Sequence, residues 1–95
     1  MKITLSEDAA KWYEQELALK KGDYVRFFVR YGDNSTIQTG FSLGIQIDEP
    51  ISVGTAITFN GINYYIKETD LWYLDSKEFH IQMDRALNEP VFSYT

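Results

Sequence analysis

The chain has no cysteine, two prolines and a single histidine among its 95 residues. Without cysteine there can be no disulfide framework, no thiolate nucleophile and no zinc–thiolate site. The ordinary ligands of an iron–sulfur cluster are missing as well. The absence of one residue type thus excludes the function classes that depend on sulfur.

Positive charge and long apolar runs are also scarce. Nine basic residues against fourteen acidic ones give a net charge of -5, which repels a phosphate backbone, so no nucleic acid is expected as a partner. No apolar run approaches the ~20 residues that a bilayer-spanning helix needs, and the first residues lead into an ordinary element instead of a signal sequence. We therefore expect a cytoplasmic protein that has no membrane partner.

Apolar material is plentiful, since hydrophobic residues make up 44% of the chain and aromatic residues 16%. Ser6 is a plausible N-cap for an amphipathic helix over residues 7–20, which Gly22 would close. Strict alternation then predicts a strand over residues 24–31, the clearest in the sequence, and another over 41–48. This composition is sufficient for a single hydrophobic core that needs no disulfide bonds.

In the second half of the chain, the sequence predicts shorter elements. Asn60-Gly61 is a strong turn signal there, because both residues tolerate positive φ. The predicted elements are a β-hairpin over 55–67, a helical turn over 71–74 capped by Thr69 or Asp70, a strand over 78–85 and an extended tail over 88–94. The fold class is therefore mainly β (α+β), as one domain over residues 1–95. Its mostly antiparallel strands are expected to curl toward a barrel.

A nucleophile-elbow pattern, G-x-S-x-G, occurs at Gly40-Phe41-Ser42-Leu43-Gly44, and Asp70 and His80 follow in the order found in hydrolases. The elbow needs a strained turn between a strand and a helix. Here strand alternation continues through Asp48, and the chain is too short for a doubly wound sheet. We therefore expect no catalytic residue and a protein that is not an enzyme.

Charged and aromatic groups elsewhere favour structural roles. His80 shares a strand face with Glu78 and Asp84, but same-face neighbours lie ~7 Å apart, too far to converge on one ion, so no metal site is expected. Arg26 and Arg30 are interpreted as a solvated face and not as an anion site. Four aromatic residues could stack a ring-shaped ligand, but core packing is the commoner use. They are Tyr64, Tyr65, Trp72 and Tyr73.

The least ordinary stretch is the polar loop from Gly32 to Gly40, which enters the strand at 41–48. A loop at the mouth of a rigid sheet is where proteins usually keep their working groups. The candidate contact residues of this loop are Asn34, Ser35, Thr36 and Thr39.

The segments RYG, QxGFSLG, DEP, DLWYLD and EPVFSY, in this order, carry a resemblance that covers nearly all of the chain. The sequence resembles the HesB/IscA-like family of A-type iron–sulfur carrier proteins, and most closely its small cysteine-free YneR-like branch. The resemblance implies a HesB-like pseudobarrel of mixed, mostly antiparallel strands with an N-terminal helix and a short second helix. Members of the wider family are thought to hold or pass iron or an iron–sulfur cluster within an oligomer.

The same resemblance places the family's first cysteine at Gln38 and its paired cysteines about where this chain ends, at Thr95. Neutral Gln38 cannot replace a thiolate toward soft iron, so we expect the scaffold without its ligands and without a cofactor. The expected function is an accessory or partner-binding role related to iron–sulfur cluster assembly, with cluster-assembly proteins as partners. The alternatives are a self-associating, homo-oligomeric interaction domain unrelated to iron, and a small Ser42 hydrolase.

Overall fold

The computed structural model describes residues 2–32 and 40–95, and every structural statement below concerns those residues. Strands dominate, which confirms the mainly β, α+β class. In chain order the elements are β1 (Ile3–Leu5), α1 (Glu7–Glu16), β2 (Tyr24–Tyr31), β3 (Phe41–Ile47), β4 (Val53–Phe59), β5 (Ile62–Lys67), the 3-10 helix η1 (Glu68–Leu74), β6 (Phe79–Asp84) and β7 (Glu89–Tyr94).

The strands form two mixed sheets. The smaller sheet has the order β1-β6-β7, with β1 parallel to β6. The larger has the order β3-β2-β5-β4, with β2 antiparallel to β3 and parallel to β5. Three of the five pairings between described strands are antiparallel, as expected. Within the part of the chain that the structure describes, however, the sheets do not close into a barrel.

Helix α1 begins where the sequence predicts but ends earlier. The Ser6 hydroxyl accepts a hydrogen bond from the Ala9 N–H at 3.4 Å, which confirms the cap. The predicted end at residue 20 is wrong, because Ala18 takes a left-handed φ of 50° and the Leu19 N–H donates to the Glu14 carbonyl at 3.0 Å. These are the features of a Schellman motif. The hydrogen bonds of this motif satisfy carbonyl groups of the last helical turn, so the helix ends before Gly22.

The hairpin forms as predicted, with positive φ at Asn60 (53°) and Gly61 (77°). These values suit the two-residue turn whose twist matches the flanking strands. Ahead of the hairpin, Ser52 has a left-handed φ of 54°. Val53 and Gly54 belong to β4, and the register with β5 shifts between Val53 and Thr55.

The core joins both sheets with α1 and η1, and aromatic rings fill its centre. The ring of Phe27 lies 5.4 Å from Phe79, 6.2 Å from Tyr13 and 6.5 Å from Tyr64. These four rings, together with Tyr73, are almost completely buried, and we call them the buried aromatic cluster. No helix in residues 2–32 and 40–95 is both long and apolar enough to cross a membrane.

Candidate functional site

Three aromatic side chains form a partly exposed row where β2 and β3 approach η1. Tyr31 lies 5.7 Å from Phe41, and Phe41 lies 5.2 Å from Trp72, measured between ring centroids. Both contacts are edge-on. Tyr31 is 91% exposed and Trp72 is 50% exposed. We call Tyr31, Phe41 and Trp72 the aromatic row.

The first two rings of the row are positioned by the pairing of β2 with β3. Tyr31 and Phe41 are direct partners across the antiparallel ladder, so their side chains lie on the same face of the sheet. Just beyond them the Gly32 N–H donates to the Gly40 carbonyl at 2.8 Å. Both glycines have positive φ, 108° and 84°, which a residue with a Cβ rarely adopts. The two glycines thus fix the end of this hairpin stem.

The third ring is positioned by η1, and an ion pair ties η1 to β2. Arg26 Nη2 donates to Asp70 Oδ2 at 3.0 Å, and Arg26 Nη1 lies 3.8 Å from Asp48 Oδ2. The Arg26 and Asp70 side chains are only 18% and 15% exposed. Interpreting Arg26 as part of a solvated face is therefore wrong. Its guanidinium connects the central strand to the helix that carries Trp72.

Neither Thr69 nor Asp70 caps η1, contrary to the sequence-based prediction. The helix begins one turn earlier, with Lys67 at the cap position and no side-chain cap hydrogen bond. Asp70 lies inside the helix, where its carboxylate is directed to Arg26 instead. The end predicted after residue 74 is confirmed, because Asp75 has a left-handed φ of 50°.

Tyr65 holds the chain segment that follows β3. Its hydroxyl donates to the carbonyls of Asp48 and Glu49, at 3.1 and 2.8 Å. Burial raises the pKa of Tyr65, and the Asp48 carboxylate raises it further, whereas Arg26 lowers it. The hydroxyl is therefore kept as a neutral donor. This contact keeps the Asp48 carboxylate beside Arg26.

The residues of the hypothetical hydrolase triad are not brought together. Ser42 lies in β3, opposite Arg30, and Asp70 is paired with Arg26. His80 lies in the other sheet, where Nδ1 is 2.6 Å from the Thr4 hydroxyl and Nε2 is 2.7 Å from the Thr95 hydroxyl. Both imidazole nitrogens are thus engaged by threonines. Neither Asp70 nor His80 is therefore placed to act as a base for Ser42.

His80 also lies 4.0 Å from a carboxylate oxygen of Glu78. In residues 2–32 and 40–95 there is no group of three or more histidine and acidic side chains placed to hold a metal ion.

The candidate loop residues are not tested by the structure. They lie outside the described residues and stay predictions: Asn34, Ser35, Thr36, Gln38 and Thr39.

Sequence reasoning missed the aromatic row. It assigned Trp72 to the core together with Tyr64, Tyr65 and Tyr73, yet only the last three are buried. A signal for the difference was present, because Trp72 and Tyr73 are adjacent in a short helical turn. Adjacent residues of a 3-10 helix point in directions about 120° apart, so the two rings leave the helix in different directions.

Comparison with known proteins adds an observation that the fold alone does not give. The chain is 47% identical over 94 residues to a Bacillus subtilis protein named pyruvate dehydrogenase inhibitor, and the match covers 99% of both chains. The chain belongs to the same family. The match spans almost the whole of each chain, so the two proteins are similar in length. No family model matches the sequence.

Two staphylococcal relatives extend the family. An uncharacterized protein of Staphylococcus saprophyticus is 36% identical over 92 residues, which is 94% of each chain. An uncharacterized protein of Staphylococcus aureus is 33% identical over 98 residues, which covers 100% of this chain and 98% of the other.

The Bacillus relative contradicts the function expected from the iron–sulfur resemblance. It is named for the inhibition of pyruvate dehydrogenase and not for cluster assembly. An accessory role in iron–sulfur cluster biosynthesis, with cluster-assembly proteins as partners, was therefore the wrong expectation. The name also differs from both alternatives, the self-associating domain of unknown role and the Ser42 hydrolase. The expectation failed because resemblance of a scaffold does not carry over a function whose ligands are missing.

Proposed function

We propose that this chain is a non-enzymatic protein inhibitor that binds pyruvate dehydrogenase and lowers its activity. The observation that carries the proposal is the match to the Bacillus protein named pyruvate dehydrogenase inhibitor, at 47% identity over 99% of both chains. A match over the whole of both chains favours a shared function more than a match to one motif would. The partner would then be a protein, and the site a surface of this domain.

The aromatic row supports a protein-binding role. Tyrosine and tryptophan are the side chains most often found at the energetic centre of protein interfaces, because each combines a large apolar area with a polar group. In the row, the exposed Tyr31 and the half-exposed Trp72 each lie against Phe41. This arrangement suits contact with another protein better than the chemistry of a small substrate.

Two finer predictions, about localisation and about the scaffold, accompany the proposed function. Binding to pyruvate dehydrogenase requires the two proteins to share a compartment, which we propose to be the cytoplasm.

The HesB-like pseudobarrel stays a prediction about the scaffold. Two mixed sheets with an N-terminal helix and a short second helix support it. An experimental structure compared with that of a HesB/IscA-like protein would test it.

The function is tested by adding the purified full chain to purified pyruvate dehydrogenase from the same organism. We expect the rate of pyruvate oxidation to fall with increasing chain concentration and to reach a plateau at saturation. Isothermal titration calorimetry on the same proteins should give direct binding with a defined stoichiometry. An unchanged rate and no heat of binding, with the chain in tenfold excess, would refute the proposal.

A further inference from the structure

Tyr31 is the most exposed large apolar side chain among the described residues. Its neighbour Phe41 is partly buried, and Phe41 in turn contacts the half-exposed Trp72. The row therefore presents two outer rings around a supported central ring. An anchor of this kind supplies most of the binding energy at many interfaces when a partner covers it.

The row is also held in place before any partner arrives. Tyr31 and Phe41 are fixed as a cross-strand pair, and η1, which carries Trp72, is tied to β2 by the Arg26–Asp70 ion pair. Binding therefore requires little ordering of these elements. A preorganised surface loses less conformational entropy on association than a flexible one, and so binds more tightly for the same contacts.

Residues 67–78 carry an excess of acidic groups, with Glu68, Asp70, Asp75 and Glu78 against Lys67 and Lys77. Helix η1 contains Glu68 and Asp70 and no basic residue, and Asp75 follows it directly. Asp70 is paired with Arg26, which leaves exposed Glu68 and Asp75 as the acidic border. Arg30 precedes Tyr31, but successive strand residues point to opposite faces. With a chain charge of -5, this border favours a basic surface on the partner.

We propose that the aromatic row is the docking surface for pyruvate dehydrogenase and enters an apolar pocket of that enzyme bordered by lysine and arginine side chains. This inference rests on the proposed function, because the relative's name supplies the partner. The three rings provide the buried centre of the contact. Glu68 and Asp75 provide the rim that directs the approach of the two proteins.

The decisive variant is Tyr31→Ala, because Tyr31 is so exposed that its removal should leave the fold intact. Leu87→Ala is the matched control, since Leu87 is 60% exposed but lies in the turn between β6 and β7. We expect Tyr31→Ala to weaken binding to pyruvate dehydrogenase by about tenfold or more. Leu87→Ala should stay within about twofold of the unchanged chain, and thermal melting should show that both variants are folded.

The acidic border has its own test in association kinetics. Glu68→Lys combined with Asp75→Lys should slow association with pyruvate dehydrogenase, and the unchanged chain should associate more slowly as salt rises, because screening weakens steering. An association rate that neither salt nor the paired substitution alters would refute a basic partner surface.

The outcomes separate the two proposals. If the unchanged chain inhibits pyruvate dehydrogenase and Tyr31→Ala inhibits it equally, the docking surface is wrong and the proposed function stands. If the unchanged chain does not bind the enzyme, the proposed function fails and the docking surface fails with it. If sedimentation shows that Tyr31→Ala dissociates a dimer while enzyme binding is unaffected, the row contacts a second copy, and the inference is overturned.

Discussion

The buried aromatic cluster and the aromatic row are built from the same kinds of contact. Around Phe27, neighbouring rings lie at 5.4 to 6.5 Å, and in the row they lie at 5.2 and 5.7 Å. What differs is burial, since Phe27 is fully enclosed whereas Tyr31 is almost fully exposed. Ring contacts of this kind therefore do not by themselves define a core. A core requires side chains on every side.

Strand β2 carries a residue of each group, and its pairing with neighbouring strands differs at the two positions. Phe27 is the last β2 residue that pairs with β5, so it has strands on both sides. Tyr31 lies four positions further along, where β2 pairs with β3 alone. Where β5 ends, β2 therefore passes from a segment paired on both edges to a segment paired with β3 alone.

The largest expected effect is that of Phe27→Ala, which removes the central ring of the buried cluster. We expect the free energy of unfolding to fall by about 3–5 kcal/mol, because a large buried ring is lost and a cavity remains. Urea unfolding followed by circular dichroism measures this. A loss below about 1 kcal/mol would mean that the cluster around Phe27 does not organise the core.

Arg26→Ala should have the next largest effect, because it leaves Asp70 partly buried and without its cation. We expect a loss of roughly 2–4 kcal/mol in the free energy of unfolding. The control is Lys11→Ala, which removes an exposed pair with Glu7 at 3.8 Å and should cost at most about 0.5 kcal/mol. Equal losses in the two variants would show that the Arg26–Asp70 pair is no stronger than a surface pair.

Alkaline pH should weaken the buried cluster. Burial, with a smaller contribution from the Glu14 carboxylate, raises the pKa of Tyr64 to about 12 from its usual 10.0. Burial also raises the pKa of Tyr13 and Tyr94. In the unfolded chain these hydroxyls ionise first as pH rises, so proton release favours unfolding. Stability should be unaffected by these groups below about pH 10 and should fall between about pH 10 and 12.

Urea unfolding at pH 8, 10 and 11.5 measures this loss, and Tyr64→Phe should reduce it because one of the buried hydroxyls is removed. A stability that stays constant up to pH 11.5 would contradict the assignment of these tyrosines as buried neutral groups.

The smallest effect on stability should come from Tyr31→Ala. Because solvent already surrounds most of this side chain, we expect a change within about 0.5 kcal/mol in urea unfolding. The same variant has the largest expected effect on binding. If its stability fell by 2 kcal/mol or more, Tyr31 would belong to the fold and would no longer contrast with Phe27.

Much of the fold was predictable because its signals are local. Alternation over residues 24–31 and 41–48 and the Asn60-Gly61 turn each depend on neighbouring residues, and all three predicted elements are present. The end of α1 was not predictable in the same way. Ala18 adopts the left-handed conformation that the sequence suggested for a glycine, and the hydrogen bonds of the last turn stabilise it there.

The candidate site was much less predictable, because it depends on contacts between distant residues. Arg26 and Asp70 are 44 positions apart, and alternation on β2 alone indicated a solvated arginine. The iron–sulfur interpretation had a different weakness. It took a function from a resemblance, although the same resemblance placed Gln38, which cannot replace a thiolate, at the first ligand position.

By itself, the sequence determined the strand and turn pattern and the absence of sulfur ligands, because backbone periodicity and residue chemistry act locally. Tertiary structure alone decided that Phe27 would be enclosed and Tyr31 left exposed. The physical reason is that rings from other elements pack over Phe27, namely Tyr13 of α1, Phe79 of β6 and Phe92 of β7. These contacts join residues far apart in the chain, so no local pattern specifies them.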